Sequence, residues 1–416
     1  MGLTLTTLGA RLRQARLNAC LTQEDAAAAI KIPRTAVVQV EAGNRNITSI
    51  ELFSLAKLYK IDVALLLSEE EEIVNDSPLL ALCRMRPEFA QTQLKKTIAW
   101  HLDIYQQGIE LNRLLGDRVR ASAPFYELSD PRSYAEAIKQ GEAMAFQERK
   151  RLGLNTLPIS DVAELISNQG IWASASDNLP EDLSGLFMHS ESIGLAILIN
   201  GKHPRKRRRF SYAHEYAHAL VDRNQSSSAL VTGKFNAQEL VEKRANAFAS
   251  EFLIPAAGIE EALTRFDKGA RSRESLWMWD YALEQGEEVE RRNKPGSQAV
   301  TYQDVACLSH EYTVSYEMVV YRLSDMGVIN RTRINELIAE REKAKELMEL
   351  LAELVPDENE QATEQPYLKQ QIGFKAIEAY RRNAITTECF VEICSKLELN
   401  VERTRRVVAV TRAIPK

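Results

Sequence analysis

RRRFSYAHEYAHAL, residues 207–220, is the stretch that decides the fold of this 416-residue chain. It contains the pattern H-E-x-x-H inside Phe210–Val221, a run with helical apolar spacing and neither Gly nor Pro. On a helix, His214 and His218 share one face about one turn apart, so both imidazoles can bind a single Zn²⁺. Glu215 stands beside the first histidine, where its carboxylate can act as a general base toward water. The leading hypothesis is therefore a zinc-dependent hydrolase that cuts amide bonds, and the alternative is a solvated helix face with two ordinary histidines.

A third ligand is expected nearby, because catalytic zinc usually has three protein ligands and an open fourth position. Val241–Leu253 has apolar residues at helical spacing, and the intervening chain is long enough for a loop and a returning helix. Within this segment we favour Glu242, with Asn246 one turn further on to hydrogen-bond a ligand histidine. Glu239 and Glu251 are rivals for the ligand role. The remaining alternative is that the favoured glutamate is a plain surface charge.

Three segments resemble the ImmA/IrrE metallopeptidases. RRRFSYAHEYAHAL is similar to the family's aromatic-then-HExxH helix, and EKRANAFASEFLIP, residues 242–255, to its E-x-x-A-N-x-F-A-x-E-L-L-x-P. LSHEYTVSYEMVVYRLSDMGVI, residues 308–329, is similar to the F-x-V-S…R-L…L-G-L-I helix. The resemblance covers about residues 145–335 and implies a small α+β zincin-like peptidase domain that uses Zn²⁺.

Two features depart from the family's pattern. Tyr216 stands where the family often has Leu or Ile, and this change leaves the catalytic residues untouched. The segment Phe266–Gln298 is longer and more charged than the resemblance leads us to expect, and could cover or shape a substrate groove. For that reason the substrate preference of the family is not transferred to this chain.

The N-terminal part, residues 6–67, is predicted to form five short helices. Thr22 is placed to cap one of them, and Lys31-Ile32-Pro33 is the turn that follows it. Arg34–Glu41 is the next helix, and Gly43 is its C-terminal stop. Two short helices joined by a tight turn indicate a helix-turn-helix, with the second helix entering the major groove of DNA.

The stretch LTQEDAAAAIKIPRTAVVQVEAGNRNITSIELFSLAKLYKIDVALLL, residues 21–67, resembles the XRE, or lambda-repressor-like, family over its whole domain. Arg can read guanine and Gln adenine through paired hydrogen bonds. Residues 1–67 carry 8 Lys+Arg and 5 Asp+Glu, a net charge of +3 against -5 for the whole chain, which supports DNA binding weakly. By this resemblance, Arg34, Thr35 and Gln39 point at base edges, and Gln23, Asn44 and Arg45 meet phosphates.

The partners implied by this module are a double-stranded DNA operator and a second copy of the chain, because single modules of this type usually bind palindromes as dimers. The alternative is a protein-binding or vestigial helix-turn-helix, since Ala26–Ala29 and Val38 are less polar than a typical DNA-facing surface. A homodimer is therefore an expectation that depends on DNA binding.

A small antiparallel sheet is predicted just before the HExxH helix. Gly170–Ser176 and Gly194–Asn200 have the composition of strands. Ser184-Gly185 is interpreted as a tight turn before an edge strand, Leu186–Met188. Such an edge can hold an extended substrate by adding it as one more strand.

Four regions are predicted, with a mainly α fold, a small α+β zincin-like peptidase domain and an N-terminal all-α helix-turn-helix domain. The acidic block Ser68–Glu72 and the polar linker Asp357–Pro366 mark changes along the chain. The predicted helices include Leu79–Leu115, Tyr134–Arg151, Ser160–Asn168 with Ser160 as its cap, and Ile334–Leu354. The regions are the helix-turn-helix domain at 1–68, a helical connector at 69–144, the peptidase domain at 145–335 and a helical C-terminal region at 336–416.

The overall composition, 45% apolar and 27% charged, is ordinary for a globular protein. No run of ~18 or more apolar residues is present, so no membrane span is expected. The five cysteines are scattered without a C-x-x-C pair, which favours reduced thiols and a cytoplasmic location.

The resulting hypothesis is a DNA-binding transcriptional regulator with zinc-dependent endopeptidase activity. By resemblance, the family cleaves helix-turn-helix repressors, so the expected substrate is such a repressor, or this chain itself, in a bacterial stress or mobile-element response. The alternative is a non-cleaving transcription regulator or antitoxin-like protein whose peptidase fold serves as sensor or scaffold. The intact HExxH pattern argues against lost chemistry.

Overall fold

The computed structural model describes residues 4–19, 21–59, 61, 63–67, 92–116, 123–190, 192–224, 229–233, 239–269, 273–280, 285–292, 297–354 and 365–412. Within these ranges the chain is mainly α, with one small α+β region and an all-α N-terminal part, as the sequence predicts. The acidic block Ser68–Glu72 and most of the linker Asp357–Pro366 lie outside the described residues. The last two linker residues instead begin a helix, where a proline in the first turn loses no helical hydrogen bond.

The N-terminal part contains the five predicted helices, and the third has the predicted bounds. Thr22 begins the second helix with a capping box, in which its hydroxyl accepts from the N–H of Asp25 and the Asp25 carboxylate accepts from the N–H of Thr22. Val37 and Val40 are buried in a core built from these helices alone. The helices are α1 (Leu5–Asn18), α2 (Gln23–Ile30), α3 (Arg34–Glu41), α4 (Ser49–Tyr59) and α5 (Val63–Leu67).

The remaining helices surround one sheet. Tyr134–Arg151 has the predicted bounds. The predicted helix Leu79–Leu115 ends as expected and is described from Thr92 onward, and its part at 79–91 lies outside the described residues. Two other predicted helices differ from the structure. The described helices are α6 (Thr92–Leu115), α7 (Tyr134–Arg151), α8 (Val162–Ser167), α9 (Arg205–Val221), α10 (Leu240–Leu253), α11 (Ala256–Arg265), α12 (Tyr302–Glu311), α13 (Tyr316–Asp325), α14 (Arg331–Ala339), α15 (Arg341–Leu354), α16 (Gln365–Arg381), α17 (Thr387–Lys396) and α18 (Val401–Arg412).

One predicted helix cap and one predicted continuous helix are wrong. Helix α8 is capped by Asp161 rather than Ser160, because the Asp161 carboxylate accepts from the N–H of Glu164. The predicted helix Ile334–Leu354 is two helices, α14 and α15, that meet at Glu340. The Tyr316 hydroxyl donates to the carbonyl of Leu337 at 3.0 Å near this break, and local periodicity carries no sign of that distant partner.

The sheet has the order β1-β3-β2-β4 and is mixed, so the prediction of a purely antiparallel sheet is wrong. β1 pairs in parallel with β3, while β2 pairs antiparallel with both β3 and β4. After β2 the chain turns back, and β3 lies between β1 and β2. Strand composition alone does not specify this order. The strands are β1 (Ile171–Ser176), β2 (Leu183–Ser190), β3 (Gly194–Asn200) and β4 (Ala229–Gly233).

The predicted turn and edge strand also differ. Ser184 and Gly185 lie inside β2, at a shift in its register with β4, rather than in a turn before it. β4 pairs along β2, so Leu186–Met188 is interior, and β4 occupies the edge that was expected to receive a substrate. The outer strand comes from the segment between α9 and α10, which sequence reasoning assigned only to a connecting loop.

Both faces of the sheet are covered. Side chains of successive strand residues point to opposite faces, so neighbouring residues in one strand belong to different cores. Phe187 and Ile197 lie in a core with α9, α10 and the C-terminal part of the peptidase region. Leu186 and Leu198 lie in a second core with α6 and α16. Helix α6 of the predicted connector and helices α16 and α17 of the C-terminal region therefore pack together against one face of this sheet.

The long charged segment Phe266–Gln298 contains a two-stranded antiparallel hairpin, β5 (Arg273–Asp280) and β6 (Gln285–Arg292). The N–H of Gly269 donates to the carbonyl of Gln298 at 3.1 Å and closes the base of the segment. Its role as a cover for the substrate groove remains a prediction.

Candidate metal centre and nucleic-acid interface

The HExxH helix, α9, begins with five basic residues, a charge that the positive end of the helix dipole disfavours. Two of them are tied to backbone carbonyls. Arg209 is buried and donates to the carbonyls of Ile159 and Ser160, at 2.5 and 2.8 Å. Arg208 donates to the carbonyl of Gly201. These contacts place the start of α9 against the preceding segments, and so fix the direction in which its histidines project.

The structure brings His214, His218 and Glu242 together at the meeting of α9 and α10. The two Nε2 atoms are 3.2 Å apart, and the Glu242 carboxylate lies 3.1 Å from His214 Nε2 and 3.6 Å from His218 Nε2. All three side chains are buried, and one ligand atom from each lies within 4.8 Å of the others. This group could hold a metal ion.

The Nδ1 atoms of both histidines are held from behind. His214 Nδ1–H donates to Asn246 Oδ1 at 3.0 Å, and His218 Nδ1–H donates to Asp222 Oδ2 at 2.8 Å. A proton on Nδ1 leaves the Nε2 lone pair of a neutral imidazole free to bind a cation. Two lone pairs and a carboxylate therefore converge at one point, and this donor set fits Zn²⁺.

The charges around the site attract a cation. Burial lowers the pKa of His218, but the hydrogen bond to Asp222 and the negative charges of Glu242 and Asp222 outweigh it and raise the pKa to about 9. Burial raises the pKa of Glu242, but its hydrogen bond with His214 and the nearby imidazoles bring the net value below the usual one. The raised pKa of His218 reflects the negative charges around it, and the lowered pKa of Glu242 keeps its carboxylate ionised, so a positive charge is stabilised between them.

Glu215 lies beside this group and is 0% exposed. Its carboxylate packs against the backbone of Gly185 in β2. A Cβ at that position would stand 2.4 Å from Glu215 Oε1, closer than real contacts allow. Glycine is thus needed here so that the sheet can approach the carboxylate closely. Sequence reasoning missed this role, and no local pattern near Gly185 indicates it.

Asp222 and Arg244 form a second layer that sequence reasoning also missed. Arg244 Nη2 donates to Asp222 Oδ1 at 2.5 Å, while the other carboxylate oxygen holds His218. The two side chains are 1% and 2% exposed. Asp222 stands four residues after the second histidine, a spacing that places both on one helix face and could have indicated the contact.

The rival acids lie elsewhere. Glu251 accepts from Arg322, which also donates to Glu142, and from the N–H of Ala256. Burial raises the pKa of Glu251 against the opposing charge of Arg322. Glu239 is exposed at the N-cap of α10. Neither belongs to the converging group.

Tyr216, the departure inside the HExxH pattern, is buried on another side of α9. Its hydroxyl donates to the buried carboxylate of Glu148 at 2.5 Å, and its ring packs against Phe248 and Phe252. A tyrosine is suited to this position because its ring fills the core while its hydroxyl gives Glu148 a partner.

The predicted base-contacting residues lie on the outer face of α3. Arg34, Thr35 and Gln39 are exposed, opposite the buried Val37 and Val40. Arg34 is 63% exposed and lies 3.9 Å from Glu24, a weak surface pair. The side chains are therefore accessible to a major groove.

The three residues predicted to meet phosphates differ in their surroundings. Asn44 is exposed after α3, and Arg45 donates to Glu51 at 2.8 Å. Gln23 is half-buried, and its amide donates to Glu41, which is also paired with the buried Arg16. Gln23 thus has a structural contact between α2 and α3 that the sequence did not indicate.

Comparison with known families agrees with this arrangement. Residues 167–324 match Peptidase_M78, the IrrE N-terminal-like domain, and residues 12–66 match HTH_3, a helix-turn-helix. No curated protein matches the chain. The chain therefore contains two regions of known type, one that matches helix-turn-helix domains and one that matches a peptidase family. More particularly, it joins an XRE-like helix-turn-helix to an ImmA/IrrE-like domain. No helix among the described residues is long and apolar enough to cross a membrane.

Proposed function

We propose that this protein is a transcriptional regulator that cleaves peptide bonds with Zn²⁺ held by His214, His218 and Glu242. The observation that carries the proposal is the convergence of three buried ligand atoms next to the buried carboxylate of Glu215. When bound, Zn²⁺ supplies Lewis acidity toward a water and the scissile carbonyl.

Glu215 is the proposed general base and acid. Its carboxylate accepts a proton from the attacking water and delivers it to the nitrogen of the leaving amine. Gly185 supports this role, because the close approach of β2 confines the carboxylate beside the histidines. Asn246 and Asp222 are the proposed positioning residues, which keep both imidazoles in the tautomer that presents Nε2.

The proposed substrate is a helix-turn-helix repressor, or the N-terminal module of this chain, and the proposed setting is a bacterial stress or mobile-element response. The fusion supports it, since Arg34, Thr35 and Gln39 would hold the peptidase at an operator where such a repressor also binds. A homodimer on a palindromic operator and a cytoplasmic location complete the proposal.

The proposed domain boundaries follow the cores. The members of the N-terminal core all come from residues 8–66, which supports a separate domain at 1–68. The connector, 69–144, and the C-terminal region, 336–416, contribute helices to cores that they share with the sheet. We therefore propose that both regions fold against the peptidase domain, 145–335.

The test compares new protein N-termini in bacterial cells that express wild type or Glu215→Gln, with and without DNA damage. Loss of the proton carrier should reduce cleavage by roughly 10²–10⁴-fold. The purified variant should keep its zinc content, because no ligand is changed. A fragment found with wild type alone would identify both substrate and cut site.

Glu239→Gln is the matched control, since it removes an exposed carboxylate from the same part of the chain, and its cleavage should equal that of wild type. Equal cleavage by Glu215→Gln would refute the mechanism. An absence of wild-type fragments in every condition would favour the non-cleaving regulator.

A further inference from the structure

A cavity of about 310 Å³ lies on the side of the sheet away from the metal centre. It is bounded by α6, by the C-terminal end of β1, and by α16 together with Glu398, which follows α17. The proposed peptide cleavage uses none of its residues. Its volume lies at the lower end of the range of small-molecule sites.

The inner wall of the cavity is neutral and polar. His101 is buried there, and burial lowers its pKa to about 4, so the ring is uncharged at neutral pH. Its Nδ1 is hydrogen-bonded to the carbonyl of Thr97 at 2.9 Å. Ser176 and Asn178 also line this wall with polar side chains, whereas the Ser174 hydroxyl beside them already bonds the Tyr105 hydroxyl at 2.5 Å. A ligand that enters can therefore exchange hydrogen bonds with hydroxyl groups without meeting a buried charge.

Trp100 supplies an aromatic wall. Its ring packs edge-on against His101, with centroids 4.8 Å apart, and its indole N–H donates to the carbonyl of Lys396 at 3.1 Å. These contacts hold the indole in one orientation, and the side chain remains only half-buried. A fixed indole at the border of a cavity is suited to contact with a flat ring.

The mouth carries two ammonium groups and one carboxylate. Lys96 is exposed, and Lys369 Nζ lies 5.7 Å from the centroid of the Trp100 ring. Glu398 is paired with Lys369 at 2.7 Å but is 73% exposed. Exposed pairs of this kind contribute little, so an anion can compete with Glu398 for the lysine.

We propose that this cavity binds a small phosphorylated compound with a planar ring, of the size of a mononucleotide. The phosphate would contact Lys96 and Lys369, the ring would pack against Trp100, and hydroxyl groups of the ligand would meet Ser176 and Asn178. The ligand would contact α6, α16 and β1 at the same time. The backbone carbonyl of Ser176 also accepts from the N–H of Gly201, which precedes the HExxH helix, at 3.0 Å.

The test is isothermal titration of the full chain with AMP, GMP, CMP and UMP, and separately with inorganic phosphate. We expect at least one nucleotide to bind with one site per chain and more tightly than phosphate. Phosphate binding as tight as that of every nucleotide would overturn the ring contact and the proposal with it. No heat from any nucleotide at millimolar concentration would do the same.

Variants separate this cavity from the DNA-binding module, which could also attract anions. Lys96→Glu and Lys369→Ala should each weaken nucleotide binding about tenfold or more, because each removes a charged hydrogen-bond donor. Lys345→Glu on α15 is the matched control, as that lysine is exposed and lies outside the cavity lining. Nucleotide affinity that is equal in Lys96→Glu, Lys369→Ala and wild type would overturn the assignment.

Discussion

The helix-turn-helix module and the metal centre place their functional side chains in opposite environments. Arg34 and Gln39 project from α3 into solvent, and α3 is held by a core beneath them. His214 and His218 are enclosed, and each is held by a hydrogen-bond partner, the half-buried Asn246 for the first and the buried Asp222 for the second. Under the proposed roles, DNA recognition in the first region is separated from stability, whereas in the second region the same contacts serve metal binding and stability.

The difference has a physical cause. A side chain that reads DNA replaces its hydrogen bonds to water with hydrogen bonds to base edges. It therefore has to be exposed in the free protein. A metal ligand has to be held in one orientation, which needs hydrogen bonds on the far side of the imidazole. Substitutions should therefore act locally in α3 and spread through the network in α9 and α10.

Arg244→Leu should produce the largest effect on stability. It leaves the buried carboxylate of Asp222 without its guanidinium partner, and breaking such a pair costs about 3–5 kcal/mol of unfolding free energy. Urea denaturation of the full chain, followed by circular dichroism, measures this loss.

The double variant Arg244→Leu/Asp222→Leu distinguishes a charge effect from simple loss of packing. Replacing both members by apolar residues should recover most of the unfolding free energy, since no charge is left buried alone. Zinc affinity should stay low, because His218 has lost the acceptor for its Nδ1–H. If the double variant is no more stable than the single one, the ion pair is not the source of the effect.

Asp222→Asn should weaken zinc binding by roughly 10–100-fold, the usual cost of changing the partner of a ligand histidine. The single amide oxygen can still accept from His218 but no longer from Arg244 as well, so the loss reports the charge together with the contact to Arg244. Competition with a zinc chelator on metal-free protein gives the affinity without any assay of cleavage.

The matched control is Asp177→Asn, which changes an exposed aspartate, and it should bind zinc as wild type does. Equal zinc affinity in Asp222→Asn would remove Asp222 from the positioning residues.

The two regions also differ in how far the sequence predicted them. The bounds of α3 and the capping role of Thr22 follow from local patterns, because turn and cap residues act within a few positions. The convergence of His214, His218 and Glu242 follows from helical spacing and the choice of Glu242, while their role as zinc ligands stays a prediction. The Asp222–Arg244 pair was not, since it links the end of one helix to the next across a long segment.

The sheet shows the same limit. The strand Gly194–Asn200 was predicted with correct bounds from its composition. Its parallel pairing with β1, and the addition of β4 outside β2, depend on contacts between distant segments that periodicity does not contain. Gly185 was interpreted as a turn residue for the same reason, since its need for close approach comes from Glu215 on another element.

Arg34→Ala should lower affinity for a specific DNA site by about 1–3 kcal/mol, the contribution of a good paired contact to a base. The melting temperature should not change, because the exposed pair with Glu24 contributes little. The site is first selected from random DNA with wild type, and affinities are then measured by fluorescence anisotropy. Lys57→Ala, an exposed charge on α4, is the control for loss of one positive charge. Equal losses in both variants would contradict base reading by Arg34.

Thr22→Ala should give the smallest effect and the most confined one. It removes the hydroxyl that accepts from the Asp25 N–H at 3.1 Å, a contact worth about 1 kcal/mol at a helix start. Amide protons in α2 should then exchange roughly fivefold faster in hydrogen-exchange measurements on the full chain. Zinc affinity and exchange in α9 should be unchanged, since the cap lies in a separate core.

Thr35→Ala is the matched control, because that threonine is exposed within α3 and should leave α2 unaffected. Faster exchange in α9 of Thr22→Ala would show that the two regions are coupled, and the contrast between a local and a networked site would then fail.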